Sequence, residues 1–127
     1  MNIRTGTEAE ADWVIARWDL KEELAGEMRT AIEQGKVQQV SIRTALLRQG
    51  EKTRRAIYLL EGSVSLTATL ANGQKAVIGQ MIGRDMLALG AIFSRKGSEH
   101  TITAVSEMVS YIVLPEQESH VLAELSR

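Results

Sequence analysis

The chain has no cysteine, one proline and few aromatic residues, which make up 4% of its 127 residues. Without cysteine there can be no disulfide, thiol nucleophile, iron–sulfur cluster or thiolate metal site. No apolar run approaches the ~20 residues that a membrane-spanning helix needs. The N-terminal residues 1–16 mix acids with apolar residues and do not form a signal peptide. We therefore expect a cytoplasmic protein with no membrane partner.

The chain also lacks an excess of charge of one sign, since it has 15 basic and 16 acidic residues and a net charge of -1. Such a balance creates no long-range field that would attract nucleic acid. The densest basic group is interpreted as a solvated turn, and it consists of Arg48, Lys52, Arg54 and Arg55. Apolar residues at 44% and charged residues at 24% are typical of one globular domain.

The first third of the chain has a helical pattern. Apolar residues recur every three or four positions from 13 to 32 and predict one buried face: Trp13, Ala16, Leu20, Leu24, Met28 and Ile32. Thr7 and Glu10 form a capping-box pattern. The region is either one rod or two helices, 8–18 and 20–34, with Asp19 restarting the second and Gly35 closing it.

After Gly35 the pattern changes to short strands. A first strand is predicted around 37–42. An apolar run at 45–51 then stops in a polar turn, a second short apolar run covers 56–60, and 63–70 alternates apolar and polar residues cleanly. Asn72-Gly73 predicts a hairpin, with 76–81 as the return strand. The segment from Thr101 to Leu114 is one bent strand or two short ones, ended by Pro115. Residues 116–125 predict a last helix.

These elements predict a single α+β domain with an antiparallel β unit between helices. Its parts are a helical region at 1–35, the β unit at 36–115 and a short C-terminal helix at 116–127. Gly50, Gly62 and Gly73 end apolar runs where the chain must reverse, so they are expected in turns that need a positive φ.

The order of strands and turns resembles the effector domain of the Crp/Fnr superfamily, a branch of the cyclic-nucleotide-binding fold. Five segments carry the resemblance in family order: Leu47-Arg48-Gln49-Gly50-Glu51, Tyr58-Leu59-Leu60-Glu61-Gly62-Ser63-Val64, Asn72-Gly73-Gln74-Lys75, the run 84–93, and Tyr111-Ile112-Val113-Leu114-Pro115. The resemblance covers about 45–125. It implies an antiparallel β-roll of the cyclic-nucleotide-binding-domain type, similar to a double-stranded jelly roll.

The resemblance also implies a pocket, and here the sequence departs from the family. A glutamate in the family holds the ribose hydroxyl and an arginine neutralises the cyclic phosphate. This chain has Ala88-Leu89 for Gly-Glu, Arg84 for a glycine, and either Glu99-His100 or His100-Thr101 for the arginine pair. We therefore expect no ordinary binding of cAMP or cGMP. The expected pocket residues are Leu87, Ala88, Leu89, Gly90, Ile92, Glu99, His100 and Thr101.

The sequence contains few residues or motifs that would indicate a cofactor site or an enzyme active site. Haem would have to use His100 or His120, or the weaker ligands Met81, Met86 and Met108, so no cofactor is expected. The two histidines form no His-x-His pair of the kind that metal-binding β-rolls use. No nucleophile elbow, P-loop or dinucleotide fingerprint is present. Neither catalytic nor metal-ligating residues are therefore expected.

The resemblance implies the N-terminal sensory domain of a Crp/Fnr-like transcription regulator that responds to an unidentified small molecule. The full-length regulator would be a homodimer and would contact DNA only through a C-terminal domain that would follow Arg127. An alternative is a stand-alone degenerate roll that binds a protein partner, for which Trp18, lying off the apolar stripe, is the expected exposed contact. A pocket for an apolar or acidic small molecule, around 87–92 and 99–103, is a third possibility.

Overall fold

Two helices come first in the computed structural model, which describes residues 3–127. Helix α1 spans Glu8–Arg17 and helix α2 spans Glu22–Glu33. The predicted capping box is confirmed, because the Thr7 hydroxyl accepts from Glu10 N and the Glu10 carboxylate accepts from Thr7 N. Two backbone N–H groups that a helix start leaves unpaired are thus satisfied.

The single apolar stripe predicted across both helices is wrong at two positions. Ala16 and Leu24 are exposed, whereas Ala11 and Val14, which the stripe left out, are fully buried. The chain breaks between α1 and α2 and leaves helical geometry there. In α1 the buried face is that of Ala11 and Val14 rather than that of Ala16, and in α2 burial begins only at Met28, four residues after Leu24.

The ends of α2 also differ in mechanism from the prediction. Asp19 does not restart the helix; it adopts a positive φ of 51°, and Lys21 is the N-cap without a side-chain hydrogen bond. Gln34 caps the C-terminus in a right-handed conformation. Gly35 is needed for space, since a Cβ there would meet Cγ2 of Ile112 at 2.7 Å.

Eight strands follow, with a short helix before the seventh and a last helix after the eighth. Helix α3 spans Leu89–Ile92 and helix α4 spans Glu116–Leu125, as predicted for the latter. The strands are β1 Gln38–Ser41, β2 Ala45–Leu47, β3 Ile57–Glu61, β4 Ser63–Thr69, β5 Lys75–Ile82, β6 Asp85–Leu87, β7 Thr101–Ala104 and β8 Met108–Val113. Of the two options for 101–114, the structure has two short strands.

The strands form two four-stranded sheets, in the orders β1-β8-β3-β6 and β2-β7-β4-β5. All paired neighbours are antiparallel. The expected α+β antiparallel β-roll with N-terminal helices and a short C-terminal helix is therefore confirmed. The predicted turns at Gly50, Gly62 and Gly73 have φ values of 84°, 96° and 85°.

The first sheet has a core on each of its faces, which explains why β3 is apolar without alternation. Tyr58 and Leu60 pack into a cluster with the helices, while Ile57 and Leu59 pack into a cluster with the second sheet. Successive side chains of a strand point to opposite faces, so a strand buried on both faces is a continuous apolar run. The helical region 3–35 therefore covers one face of the roll.

Candidate ligand pocket

A small cavity lies between the segment that links β6 to β7 and the inner strands of the second sheet. Its volume is about 170 Å³, below the roughly 300–1,000 Å³ of ordinary small-molecule pockets. The residues that line it are Leu66, Ala88, Gly90, Ala91, Ser98, Glu99, His100 and Ile102.

The backbone around the cavity is held by local geometry. Ala88 adopts a left-handed φ of 72° and turns the chain from β6 into α3. The hydroxyl of buried Ser98 donates to His100 O at 2.6 Å and accepts from His100 N at 3.3 Å, which closes the loop before β7. Gly50 N donates to Ser98 O at 2.7 Å, and Ser98 N donates to Glu51 O at 2.8 Å. The Gln49-Gly50-Glu51 turn thus braces the pocket loop through backbone hydrogen bonds.

The structure brings four of the eight expected pocket residues to this cavity, namely Ala88, Gly90, Glu99 and His100. The other four are not among its lining residues, and the reason is the direction of their side chains. Leu87 is buried in the core between the sheets, and Leu89 and Ile92 pack against the core beneath the helices. Residues three apart share a helix face, so α3 directs Leu89 and Ile92 to the same side.

Thr101, the last expected pocket residue, lies on β7 and is half-buried. Its hydroxyl accepts from Gln49 N at 2.9 Å, so it braces the turn after β2. The position is therefore next to the pocket rather than in its wall.

Four lining residues are absent from the eight expected ones: Leu66, Ala91, Ser98 and Ile102. Ala91 and Ile102 fall within the wider ranges 87–92 and 99–103 of the third possibility, whereas Leu66 and Ser98 were not predicted. Leu66 pairs with Ile102 across β4 and β7, so both reach the cavity through strand pairing. Pairing between segments about 36 residues apart leaves no local pattern in the sequence. Ser98 had one usable signal, because a serine beside a glycine in a loop often folds back on its own backbone.

The electrostatics of the cavity do not suit an anion. No lysine or arginine is among the residues that line it, and its one acidic residue is the exposed Glu99. Arg84 is exposed, and its guanidinium lies 3.5 Å from Ala9 O on α1. Arg95 and Lys96 are exposed in the loop after α3. A cyclic phosphate in this cavity would meet a carboxylate and no cation, which makes its desolvation unfavourable.

Trp18, the expected exposed contact, is instead half-buried and makes intramolecular contacts. Its indole Nε1 donates to Ser126 Oγ at 2.9 Å, and its ring lies edge-on to Trp13 with centroids 6.3 Å apart. The Arg17 guanidinium carbon lies 5.0 Å from the ring centroid. Trp18 therefore ties the end of α1 to the end of α4, and the expectation of a free surface residue is wrong.

Over residues 3–127, no three His, Cys, Asp or Glu side chains come close enough to hold a metal ion. Within the same described range, no helix is long and apolar enough to cross a membrane.

Two antiparallel four-stranded sheets, flanked by helices and carrying a short helix between β6 and β7, define a β-roll of the cyclic-nucleotide-binding type. The family model of the cyclic nucleotide-binding domain matches residues 32–124. The chain belongs to this family. No protein among the curated sequences matches it significantly.

Solved structures agree on the fold. A cyclic nucleotide-binding domain from Methylobacillus flagellatus superimposes with a TM-score of 0.71 at 13% identity, over 98% of this chain and 72% of that one. The N-terminal domain of a transcriptional regulator from Streptomyces coelicolor gives 0.62 at 20% identity, over 84% and 74%. A transcriptional regulator from Thermotoga maritima gives 0.59 at 22% identity, over 69% and 68%. The resemblance to Crp/Fnr effector domains is thus confirmed at the level of the fold.

The chain spans only part of several larger structures that it resembles. It covers 47% of the Thermus thermophilus catabolite activator protein, with a TM-score of 0.63 and 12% identity. Identities this low establish the shared fold and leave the ligand open.

Proposed function

We propose that this domain is the regulatory, sensory part of a Crp/Fnr-like transcription regulator and that it does not hold cAMP or cGMP in the usual way. The likeness to N-terminal domains of transcriptional regulators supports the first half. The second half rests on the cavity. In this proposal the domain senses rather than catalyses.

The cavity carries the proposal because both its volume and its charge are wrong for a cyclic nucleotide. At about 170 Å³ it is lined mainly by aliphatic side chains and glycine, with Glu99 as its charged residue. Leu89, which stands where the family has a ribose-binding glutamate, packs into the core beneath the helices. The effector that this cavity suits is a small, mainly apolar molecule with one polar group for Ser98 or His100.

DNA contact and homodimer formation belong, in this proposal, to a separate C-terminal part of a full-length regulator. The net charge of -1 supports that division, because a DNA-binding surface needs clustered positive charge to neutralise phosphates.

A thermal-shift titration with cAMP and cGMP tests the pocket. A ligand at 100 times its Kd stabilises the native state by about 2.7 kcal/mol, and each kcal/mol raises Tm by roughly 2–8 °C in a domain of this size. We expect no rise in Tm with either nucleotide at millimolar concentration.

The variant Gly90→Leu supplies the matched control. A Cβ at Gly90 meets no atom within 4 Å, so a side chain can start from this position of the cavity wall. A saturable rise in Tm with cAMP that Gly90→Leu abolishes would contradict the proposal.

The alternative, a protein-interaction module, has one supporting observation. Strand β5 is one of the two edge strands of its sheet and exposes Val77 by 70%, Ile78 by 53% and Ile82 by 74%. Exposed apolar edge strands can pair with another chain. Sedimentation at several concentrations distinguishes the two: self-association that Val77→Lys abolishes favours the alternative, and a monomer at all concentrations favours the regulatory domain.

A further inference from the structure

A second recess, separate from the small cavity, lies between the β2–β3 loop, the end of α3 and the start of α4. It consists of two hollows of about 560 and 620 Å³, which share Arg54, Ile92 and Glu116. We call it the α3–α4 groove. Its volume falls in the range of small-molecule sites, and none of its lining residues lines the cavity.

Positive charge is concentrated along this groove. Lys52, Arg54, Arg55 and Arg95 line it, and Glu116 is its one carboxylate. The ion pairs found in the described range 3–127 involve none of these four cations. A chain with a net charge of -1 thus has four cations and one carboxylate around one recess, where the fields of the cations add.

The loop that carries three of these cations is held by hydrogen bonds to its own backbone and to the end of β8. The Arg55 guanidinium donates from Nε to Leu114 O at 2.8 Å and from Nη2 to Val113 O at 3.2 Å. Thr53 Oγ1 accepts from Arg55 N at 3.1 Å and fixes the turn. A guanidinium held in place loses less conformational entropy when it binds an anion.

Apolar side chains line the part of the groove nearest α4. Ile92 is half-buried and Phe93 is 37% exposed. His120 meets the Phe93 ring edge-on with centroids 5.0 Å apart, and the Arg127 guanidinium carbon lies 4.7 Å from its centroid. The groove therefore combines an aromatic and aliphatic region with a cluster of guanidinium groups.

We propose that the α3–α4 groove binds a phosphorylated small molecule with an aromatic or apolar part, of the nucleoside polyphosphate class. Guanidinium groups bind phosphoryl oxygens in bidentate geometry. Four cations and one carboxylate, Glu116, line the groove. A ligand with several phosphoryl charges matches this excess of positive charge better than a ligand with a single carboxylate would. The apolar part of the ligand contacts Ile92 and Phe93. This site is independent of the proposed sensory cavity.

Titration calorimetry and amide NMR at low salt test the groove with ATP, inorganic tripolyphosphate and adenosine as probes. The double variant Arg54→Gln/Arg95→Gln removes two groove cations. The matched control Arg43→Gln/Arg48→Gln changes net charge equally at exposed residues outside the groove. Because all four side chains are exposed, both variants are expected to fold, which circular dichroism verifies.

We expect ATP to bind, with the amide shifts at residues 52–55 and 92–95, and its Kd to rise by about tenfold or more in the groove variant. The control variant should keep the wild-type Kd. Tripolyphosphate should bind more weakly than ATP, and adenosine should not bind measurably.

Absence of ATP binding at millimolar concentration would overturn the proposal, as would an equal loss of affinity in the groove and control variants. Equal affinity for tripolyphosphate and ATP would overturn the role of the apolar region. Shifts confined to residues 88–91 and 98–102 would place the ligand in the small cavity and would also overturn it.

Discussion

Glu10 is a carboxylate that the fold buries almost completely, with 3% of its surface exposed. Its oxygens accept from the Arg4 guanidinium at 2.9 and 2.7 Å and from Thr7 N at 2.9 Å. Burial by itself would raise the pKa of Glu10, but the hydrogen bonds from Arg4 and Thr7 outweigh it and hold the pKa below its ordinary value. The charged form is therefore the one that the native state stabilises.

This depressed pKa predicts a pH-dependent stability. The contribution is complete above the unfolded-state pKa of about 4.3 and is lost as pH falls through the lower folded-state pKa. We expect Glu10→Gln to lower the free energy of unfolding by about 1–3 kcal/mol at pH 7, measured by urea denaturation.

The same difference should shrink as pH falls from about 4.3 through the lower folded-state pKa, below which wild-type Glu10 is also neutral. Glu8→Gln, in the same first turn but exposed, should change stability by less than about 0.5 kcal/mol. A loss at Glu10 that is equal at neutral and acidic pH would contradict the electrostatic explanation.

Ala88 occupies a left-handed conformation, with a φ of 72°, which disfavours any residue with a Cβ. The conformation costs a non-glycine residue about 1–2 kcal/mol. Glycine removes this cost, but its greater freedom in the unfolded state offsets about 0.5–1 kcal/mol of the gain. Ala88→Gly should therefore stabilise the domain by up to about 1 kcal/mol in urea denaturation. Ala9→Gly, exposed in α1, should cost about 1 kcal/mol, and equal effects at both sites would refute the strain.

At the scale of elements, the corner between β3 and β4 depends on Gly62. A Cβ there would lie 2.5 Å from Met108 O and 3.0 Å from Val109 Cα, and φ is 96°. Gly73, at the tip of the β4–β5 hairpin, has a similar φ of 85° but open space around its Cα. Substitution of Gly62 therefore causes both a steric clash and backbone strain, whereas substitution of Gly73 causes backbone strain alone.

We expect Gly62→Ala to lower the free energy of unfolding by at least about 2 kcal/mol, because strain and a clash with β8 combine. Gly73→Ala should cost only about 1 kcal/mol, from its conformation alone. Denaturant unfolding of both variants measures the difference. Equal losses would show that the approach of β8 does not constrain the corner.

At the scale of the whole molecule, the N-terminal helices and the roll form one packed unit. The Tyr58 hydroxyl donates to Glu10 O at 2.6 Å, and the Tyr58 ring stacks on Trp13 with centroids 5.7 Å apart. Burial raises the pKa of this hydroxyl, so it stays protonated and remains a donor. The contact joins the first sheet to α1.

We expect tryptophan fluorescence and far-ultraviolet circular dichroism to give coincident unfolding curves. Both tryptophans lie at the N-terminal helices, while the dichroism also reports the strands. A fluorescence transition at lower denaturant would show that the helices unfold separately.

The variant Tyr58→Phe should lower the free energy of unfolding by about 1–2 kcal/mol. The variant Tyr111→Phe should change it little, because the Tyr111 hydroxyl makes a longer bond of 3.3 Å to Gln38.

How far the sequence predicts this domain depends on how local each feature is. The capping box at Thr7, the hairpin at Asn72-Gly73 and α4 at Glu116–Leu125 match their predictions, because each depends on residues close together in the chain. The helical stripe was wrong at Ala16 and Leu24, because the turns of a helix that become buried depend on what packs against them. The wall of the candidate site was half right, because Leu89 and Ile92 share a face of α3 that packs into the core beneath the helices, while Gly90 lines the cavity.

The sequence by itself therefore predicted most of the strands and the last helix, because turn chemistry and periodicity are local properties. The roll followed from the order of these elements together with the family resemblance. Only the tertiary structure decided which side chains meet. It placed Leu89 in the core, brought Leu66 to the cavity, turned Trp18 toward Ser126 and placed Arg95 beside the cations of 52–55 in the α3–α4 groove. Those contacts join segments far apart in the chain, and their positions depend on the packing of two sheets and four helices together.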